Sequence, residues 1–362
     1  MNAPENYLGV ITPDEIERLH KSLADGVRHP LIALAKAAKP HEVATNTENT
    51  ARRIFRENSD WLKKLKPRLI DTSDLANSSS ALGEIRGYGA LLETGMAVKA
   101  NPTVPGTKVS PEFEVDAGDG AVIVEVHSRQ LDPAQAEAIA EHRRKHRAEH
   151  RIAVEEAKKA GEKGVVTSAA IGVMPLGAPN PKKAGDSVLT NAISRICNIK
   201  KEEKQIDPAK PFVLWLDLQD PLVWGAAIAE QQLSPIYSEF RSEGVESGAL
   251  WFALYGRKDD PMIEMWGCDY HQIAMLHDGR FALSEKISAV IYSLPRATVL
   301  MEHPSPARPL PSNFRASLLN LPFFALENSV CEWTPGLVAQ YLDYQRKMVS
   351  EAAKALVAFN PP

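Results

Sequence analysis

The chain of 362 residues is 44% hydrophobic and 24% charged, which is typical of a folded globular protein and excludes a disordered one. Its formal net charge of −4 excludes nucleic-acid binding through bulk positive charge, so any such contact needs a local basic surface. The three cysteines, Cys197, Cys268 and Cys331, are odd in number and far apart. They therefore indicate a reducing compartment and small buried side chains rather than a disulfide framework.

The sequence predicts a cytoplasmic location. Residues 1–19 lack a charged head followed by an apolar run, so we expect no secretory signal. No stretch approaches the ~20 apolar residues that span a bilayer, so we expect no membrane partner. The sequence leaves the oligomeric state open.

Residues 1–79 are predicted to form a helical N-terminal region. Thr12 and Glu15 have the spacing of a capping box at the start of the first helix. A second helix is predicted over residues 49–66, and the polar segment 71–80 is predicted to be a linker or cap.

Residues 80–303 are predicted to form an α/β domain. Its predicted elements are, in order, helix 81–95, strands 112–117 and 121–127, helix 133–159, strand 165–174, helix 186–205 and strand 212–218. This order indicates an α/β sandwich around a mixed sheet. Further strands are predicted over residues 249–255, 262–266 and 297–302.

Residues 304–362 are predicted to be a proline-rich connection and a C-terminal helix. Pro335 follows Thr334 at the start of that helix, and Leu337 and Tyr341 begin its apolar face. We expect this face to pack on the protein's own core, with a partner helix as the alternative.

Several common signatures are absent from the sequence, among them the P-loop, the dinucleotide-binding glycine pattern, the nucleophile elbow and paired cysteines. His142, His146 and His150 would share one helix face within the run HRRKHRAEHR. Because the neighbouring cations repel a divalent metal, we interpret this run as a solvated basic face, with contact to phosphates as the alternative.

Acidic residues line one face of the predicted hairpin. Alternate residues of a strand share a face, so Glu112, Glu114 and Asp116 point away from Phe113 and Val115. On the second strand the apolar face carries Val122, Val124 and Val126, and the opposite face carries Ile123, Glu125 and His127.

Two turns are compatible with this hairpin. A turn at Gly118-Asp119 places Glu112 opposite Glu125. A turn at Asp119-Gly120 instead places Glu114 opposite Glu125. Either register brings carboxylates together, which destabilises a hairpin unless a cation compensates.

The alternative is an ordinary solvent-facing strand face, with Glu125 paired to Arg86 or Arg129. On the preceding helix, Glu84 lies at the edge of the apolar arc, where a carboxylate is costly unless it has a partner. Glu84 is therefore a candidate third metal ligand.

These residues resemble the motifs of the PD-(D/E)XK nuclease superfamily. The matching segments are Glu84-Ile85-Arg86-Gly87-Tyr88, Ser110-Pro111-Glu112-Phe113 and Val124-Glu125-Val126-His127. The resemblance extends over residues 81–218 and implies an αβββαβ restriction-endonuclease-like core. It also implies a Mg²⁺ or Mn²⁺ ion held by Glu84, Glu112 and Glu125, although Glu114 and Asp116 remain alternatives to Glu112.

The resemblance implies a divalent-metal-dependent endonuclease acting on nucleic acid, with DNA as the expected partner. Its catalytic residues would be Glu84, Glu112, Glu125, His127 and Gln130. His127 replaces the motif lysine, and a histidine is mostly neutral at pH 7 and cannot hold a fixed positive charge on the phosphate.

Two further interpretations follow from the replacement of the motif lysine by His127. Lys99, Arg129 or Lys204 would have to supply the missing charge, and the sequence does not choose among them. Alternatively, the chain is a catalytically inactive nuclease-fold protein that binds nucleic acid or a protein partner.

Overall fold

A computed structural model describes residues 6–36, 42–102, 110–128, 133–167, 196–197, 199, 206–219, 237–238, 245–246, 248–266, 269–295, 298–321 and 332–359. The chain divides into two compact units. The first unit comprises Met1–Leu82 and Arg129–Gly177, and the second comprises Gly83–Ser128 and Ala178–Pro362. The domain boundaries predicted from the sequence, after residues 79 and 303, stay predictions.

Helices make up the described part of the first unit. They are α1 (Pro13–Ser22), α2 (Pro30–Ala35), α3 (Glu42–Leu69), the start of α4 (Leu75–Glu93) and α5 (Pro133–Lys159). The predicted capping box of α1 is confirmed, because the Glu15 N–H donates to Thr12 Oγ1 at 3.2 Å and the Thr12 N–H donates to Glu15 Oε2 at 2.9 Å.

Two predictions for this region were wrong in extent. The helix predicted over residues 49–66 is part of α3, which begins at Glu42 and is kinked at Asn58. The polar segment 71–80, predicted to be a linker or a cap, provides a cap in its first residues but already contains the first turns of α4. Asp74 explains this early start, because its Oδ1 accepts the Ala76 N–H at 2.9 Å in the manner of an N-cap.

The second unit is built on a seven-stranded mixed sheet, which confirms the predicted α/β class. Its strands are β1 (Ala97–Ala100), β2 (Phe113–Asp116), β3 (Ala121–Ser128), β4 (Phe212–Asp217), β9 (Ala289–Ser293), β10 (Thr298–Glu302) and β11 (Glu332–Trp333), in that spatial order. Strands β3, β4 and β9 run parallel, whereas β2 is antiparallel to β1 and β3. Every residue of β4, β9 and β10 is buried, as expected for the centre of a covered sheet.

Two hairpins, most of α4 and several further helices also belong to the described part of the second unit. The hairpins pair β5 (Tyr237–Ser238) with β6 (Val245–Glu246) and β7 (Pro261–Trp266) with β8 (Asp269–Ala274). The helices are α6 (Ala249–Tyr255), α7 (Arg280–Leu283), α8 (Ser312–Leu318) and α9 (Pro335–Phe359). Helix α9 begins at the predicted residue and lies against β7 and β8.

The segment 249–255 was predicted to be a strand and is helix α6. All seven of its residues are buried, and a short apolar run of this kind has no periodicity that separates a strand from a helix. The predicted strand 165–174 and helix 186–205 lie mostly outside the described residues. Among the helices that the structure describes, none has the length and apolar character needed to cross a membrane.

Candidate functional site

The hairpin of β2 and β3 has one of the two predicted registers. Phe113 pairs with Val124, and the Ala117 N–H donates to the Gly120 carbonyl at 2.9 Å. The turn is therefore Gly118-Asp119, and the φ of +83° at Gly118 is one that favours glycine. Continued by one residue, this register places Glu112 opposite Glu125.

The predicted separation of the hairpin into two faces is also confirmed. Phe113 pairs with Val124, so it lies on the face opposite to Glu125. Glu125 is fully buried, while His127, two residues further on the same face, is partly exposed.

Helix α4 covers the apolar face of this hairpin. A Cβ added at Gly87 would lie 2.8 Å from Val126 Cγ2, and the rings of Tyr88 and Phe113 stack with centroids 4.9 Å apart. Glu84, which is 8% exposed, is thus carried by a helix on one side of the sheet, whereas Glu125 points to the other side.

Protein groups offset the charges of the hairpin acids. Glu112 Oε2 accepts the Val126 N–H at 3.2 Å. Glu114 forms an ion pair with Lys210 at 2.9 Å and lies directly across from Lys99 on β1. Opposite charges at facing positions of a sheet stabilise it.

Two further acids of the hairpin bind backbone N–H groups. Asp116 Oδ1 accepts the Gly118 N–H at 2.8 Å and so closes the turn. Asp119 Oδ2 accepts the Asn313 N–H at 3.0 Å at the start of α8. The compensation that the sequence assigned to a metal is therefore supplied at these residues by the protein itself.

Of the metal ligands implied by the resemblance, Glu84 belongs to the helix that packs on one face of β3, whereas Glu125 lies on the opposite face of that strand. No three His, Cys, Asp or Glu side chains in the described ranges are grouped so that they could hold a metal. Gln130, predicted to be catalytic, lies outside the described residues, as do Arg129 and Lys204.

Sequence reasoning missed a polar cluster at the carboxyl ends of β3, β4 and β9. Ser128, Asp217 and Ser293 are neighbours in the parallel register, and Ser128 Oγ donates to Asp217 Oδ2 at 3.1 Å. Arg86 of α4 forms a buried two-bond contact with Asp217, with Nε 2.9 Å from Oδ1. Gln219 Nε2 donates to Ser293 Oγ at 2.6 Å.

A signal was present for Asp217, which lies near the end of the predicted apolar strand 212–218, but not for Ser293, whose strand was not predicted. The carboxyl ends of parallel strands are a common location for ligand sites in α/β sheets. Here the polar groups bond to one another, and Arg86 ties α4 to the sheet through Asp217. We therefore assign the cluster a structural role.

Comparison of the chain with protein-family models, with curated proteins and with solved structures found no match. Function is accordingly inferred from the chain's own residues.

Proposed function

We propose that this protein is a catalytically inactive member of the PD-(D/E)XK nuclease-like superfamily, in which the α/β core serves in binding rather than in phosphodiester hydrolysis. The observation that supports the proposal is that α4, the helix of Glu84, covers one face of β3, whereas Glu125 lies on the other face. A metal centre of this type needs its acidic ligands to converge on one ion.

Support for a nuclease-like core comes from the order of elements. Helix α4, strands β1 to β3, helix α5 and strand β4 follow one another along the chain as αβββαβ. The four strands are also neighbours in that order, and β2 is the antiparallel one. This arrangement resembles the core that the sequence motifs imply.

Support for inactivity comes from what the motif acids do. Glu112 uses a carboxylate oxygen to accept a backbone hydrogen bond, and Glu125 is fully buried within the sheet. His127 stands where the motif has lysine and carries no fixed charge at pH 7. The hydrogen bond of Glu112 and the absence of a fixed charge at position 127 favour a structural use of these motif positions.

The second candidate is the metal-dependent endonuclease. It is favoured by one observation, which is that Glu125 and His127 share a sheet face in the layout of the strand motif. In that case Glu125 would hold Mg²⁺ or Mn²⁺, and His127 would orient or deprotonate the attacking water.

Cleavage assays separate the two candidates. Wild type, Glu125→Ala and His127→Lys are incubated with plasmid and single-stranded DNA in Mg²⁺ and in Mn²⁺. We expect no metal-dependent cleavage from any of them, because restoring the motif lysine does not assemble the acids. Cleavage by the wild type that Glu125→Ala abolishes, or cleavage gained in His127→Lys, would contradict the proposal. Cleavage that is equal in wild type and Glu125→Ala indicates a contaminating nuclease.

A further inference from the structure

A short loop of the first unit is fixed against helix α5. Gly26 has a φ of +86°, and a Cβ added there would lie 2.4 Å from the Ala140 carbonyl oxygen, so the loop backbone touches the helix backbone. Beside it, Arg147 forms an ion pair with the Asp25 carboxylate, and Arg144 Nη1 donates to the Asp25 carbonyl at 3.4 Å. The position of the loop along α5 is therefore defined by several contacts.

This contact brings a loop arginine to the basic face of the helix. Arg143 and Arg147 are four residues apart and share a face of α5. Burial, followed by the charges of Arg28 and Arg147, lowers the pKa of Arg143, so Arg28 and Arg147 each lie within electrostatic range of Arg143. Arg28 and Arg147 are exposed, and Arg143 is partly exposed.

The cluster carries more positive charge than its neighbours neutralise. Asp25 is used by Arg147, and Glu137 is used by Arg144 at 2.7 Å. Within the described ranges, Arg28 and Arg143 form no salt bridge. Like charges held this close repel one another, and an added anion removes the repulsion.

We propose that Arg28, Arg143 and Arg147 bind the phosphates of a nucleic-acid backbone. Arginine matches phosphate geometry through paired N–H donors. An exposed ion pair contributes only about 0–1 kcal/mol, so a single small anion gains little here, whereas a ligand with many phosphates adds contacts and releases counterions. Arg151 continues the same face two turns beyond Arg143, which extends the surface by about 12 Å.

The proposal goes beyond the motif positions of the nuclease-like core, because all four arginines belong to the first unit and none belongs to the sheet. It also differs from a merely solvated helix face. A helix face that only contacts water does not need a neighbouring loop. Here the loop that Gly26 and Asp25 hold against α5 adds Arg28 to the arginines of the helix.

The test is fluorescence anisotropy of a labelled oligonucleotide with the full chain over a series of salt concentrations. The double variant Arg28→Gln/Arg143→Gln removes two charges that no salt bridge uses. We expect roughly tenfold weaker binding at low salt, and a slope of log K against log salt that is smaller by about 0.7–0.9 for each lost contact. Arg28→Lys/Arg143→Lys should retain most of the binding.

Arg56→Gln is the matched control, because Arg56 is an exposed arginine of the same unit on α3. It should leave the affinity and the salt slope unchanged. Circular dichroism checks that every variant is folded. If the double variant does not fold, the single variant Arg28→Gln, which changes an exposed loop residue, replaces it in the binding assay. The proposal is overturned if the wild type does not bind at low salt or if the Arg28 and Arg56 variants bind equally. It is also overturned if polyglutamate competes as well as the oligonucleotide, which would indicate an acidic protein partner.

Discussion

Glu112 shows how a residue that resembles a metal ligand can serve a strand instead. Strand β2 begins at Phe113, one residue after Glu112, while β3 continues past the pairing position of Glu112. The Val126 N–H therefore lies beyond the end of the β2 ladder, and Glu112 Oε2 accepts its hydrogen at 3.2 Å. The carboxylate takes the place of a missing backbone acceptor.

We predict that Glu112→Ala destabilises the protein by about 1–3 kcal/mol, because the buried backbone N–H of β3 loses its acceptor. Glu112→Gln should be tolerated better, because its amide oxygen still accepts the bond. Urea unfolding of both variants measures this difference. Glu93→Ala, which changes an exposed acid at the end of α4, is the control and should be near neutral. Equal stability of Glu112→Ala and the wild type would rule out the capping role.

Two histidines are held neutral by the same arrangement of bonds. In His29, Nδ1 accepts the Leu31 N–H at 3.2 Å, so Nε2 carries the proton and donates to the Asp71 carbonyl at 3.0 Å. In His303, Nδ1 accepts the Ser305 N–H at 2.8 Å. Burial lowers the pKa of both rings.

This lowering gives stability a definite dependence on pH. Below the ordinary histidine pKa of 6.5 the unfolded chain binds more protons than the folded one, so stability falls as the pH falls through that value. We expect the melting temperature to drop on acidification, and to drop less in His29→Asn, whose side-chain oxygen can keep the N-cap bond. His20→Asn, at an exposed position of α1, should keep the dependence of the wild type. If the melting temperature of His29→Asn depends on pH in the same way as that of the wild type, His29 is not a source of the dependence.

At the scale of the elements, α4 approaches the sheet through glycines. A Cβ added at Gly83 would lie 1.9 Å from Ser128 Oγ and 3.2 Å from Ser128 Cβ, so only a residue without a side chain fits. Gly87 makes the corresponding close contact with Val126. These contacts fix which face of the hairpin the helix covers, and hence where Glu84 lies.

Gly83→Ala should therefore cost about 1–3 kcal/mol through overpacking. The cost should be smaller when Ser128 is also changed to Ala, because the closest contact is with the Ser128 hydroxyl. A double-mutant cycle in urea gives the coupling between the two sites. Gly336→Ala is the control, since nothing lies within 4 Å of a Cβ added there and the change should not destabilise α9. Additive effects of the Gly83 and Ser128 changes would contradict the close contact.

The sequence predicted those helices that are long and those strands in which polar and apolar residues alternate regularly. The extent of α5 follows from its charged helical run, and the faces of the hairpin follow from alternation in β2 and β3. Strands β1 and β9 were not predicted. Exposure alternates with partial burial in β1 over only four residues, and β9 is a short run that is buried throughout. Short runs of this kind are defined by their partners in the sheet rather than by their own pattern.

At the scale of the whole molecule, the sequence predicted the site's composition better than its geometry. The register that places Glu112 opposite Glu125 was one of two that the turn residues allowed. The position of Glu84 depended on which sheet face α4 covers, and the apolar arc of a helix does not determine that. The glycines at positions 83 and 87 were the available signal, since they mark a face of close approach.

The central claim is that Glu112 and Glu125 are used by the fold and do not hold a metal ion. Isothermal titration of Mn²⁺ into the full chain, compared with Glu125→Ala, tests it most directly. We predict that the two proteins give the same heats, because Glu125 lies on the face of β3 opposite to the helix that carries Glu84. Stoichiometric Mn²⁺ binding by the wild type that Glu125→Ala removes would contradict the claim and restore the metal-dependent nuclease.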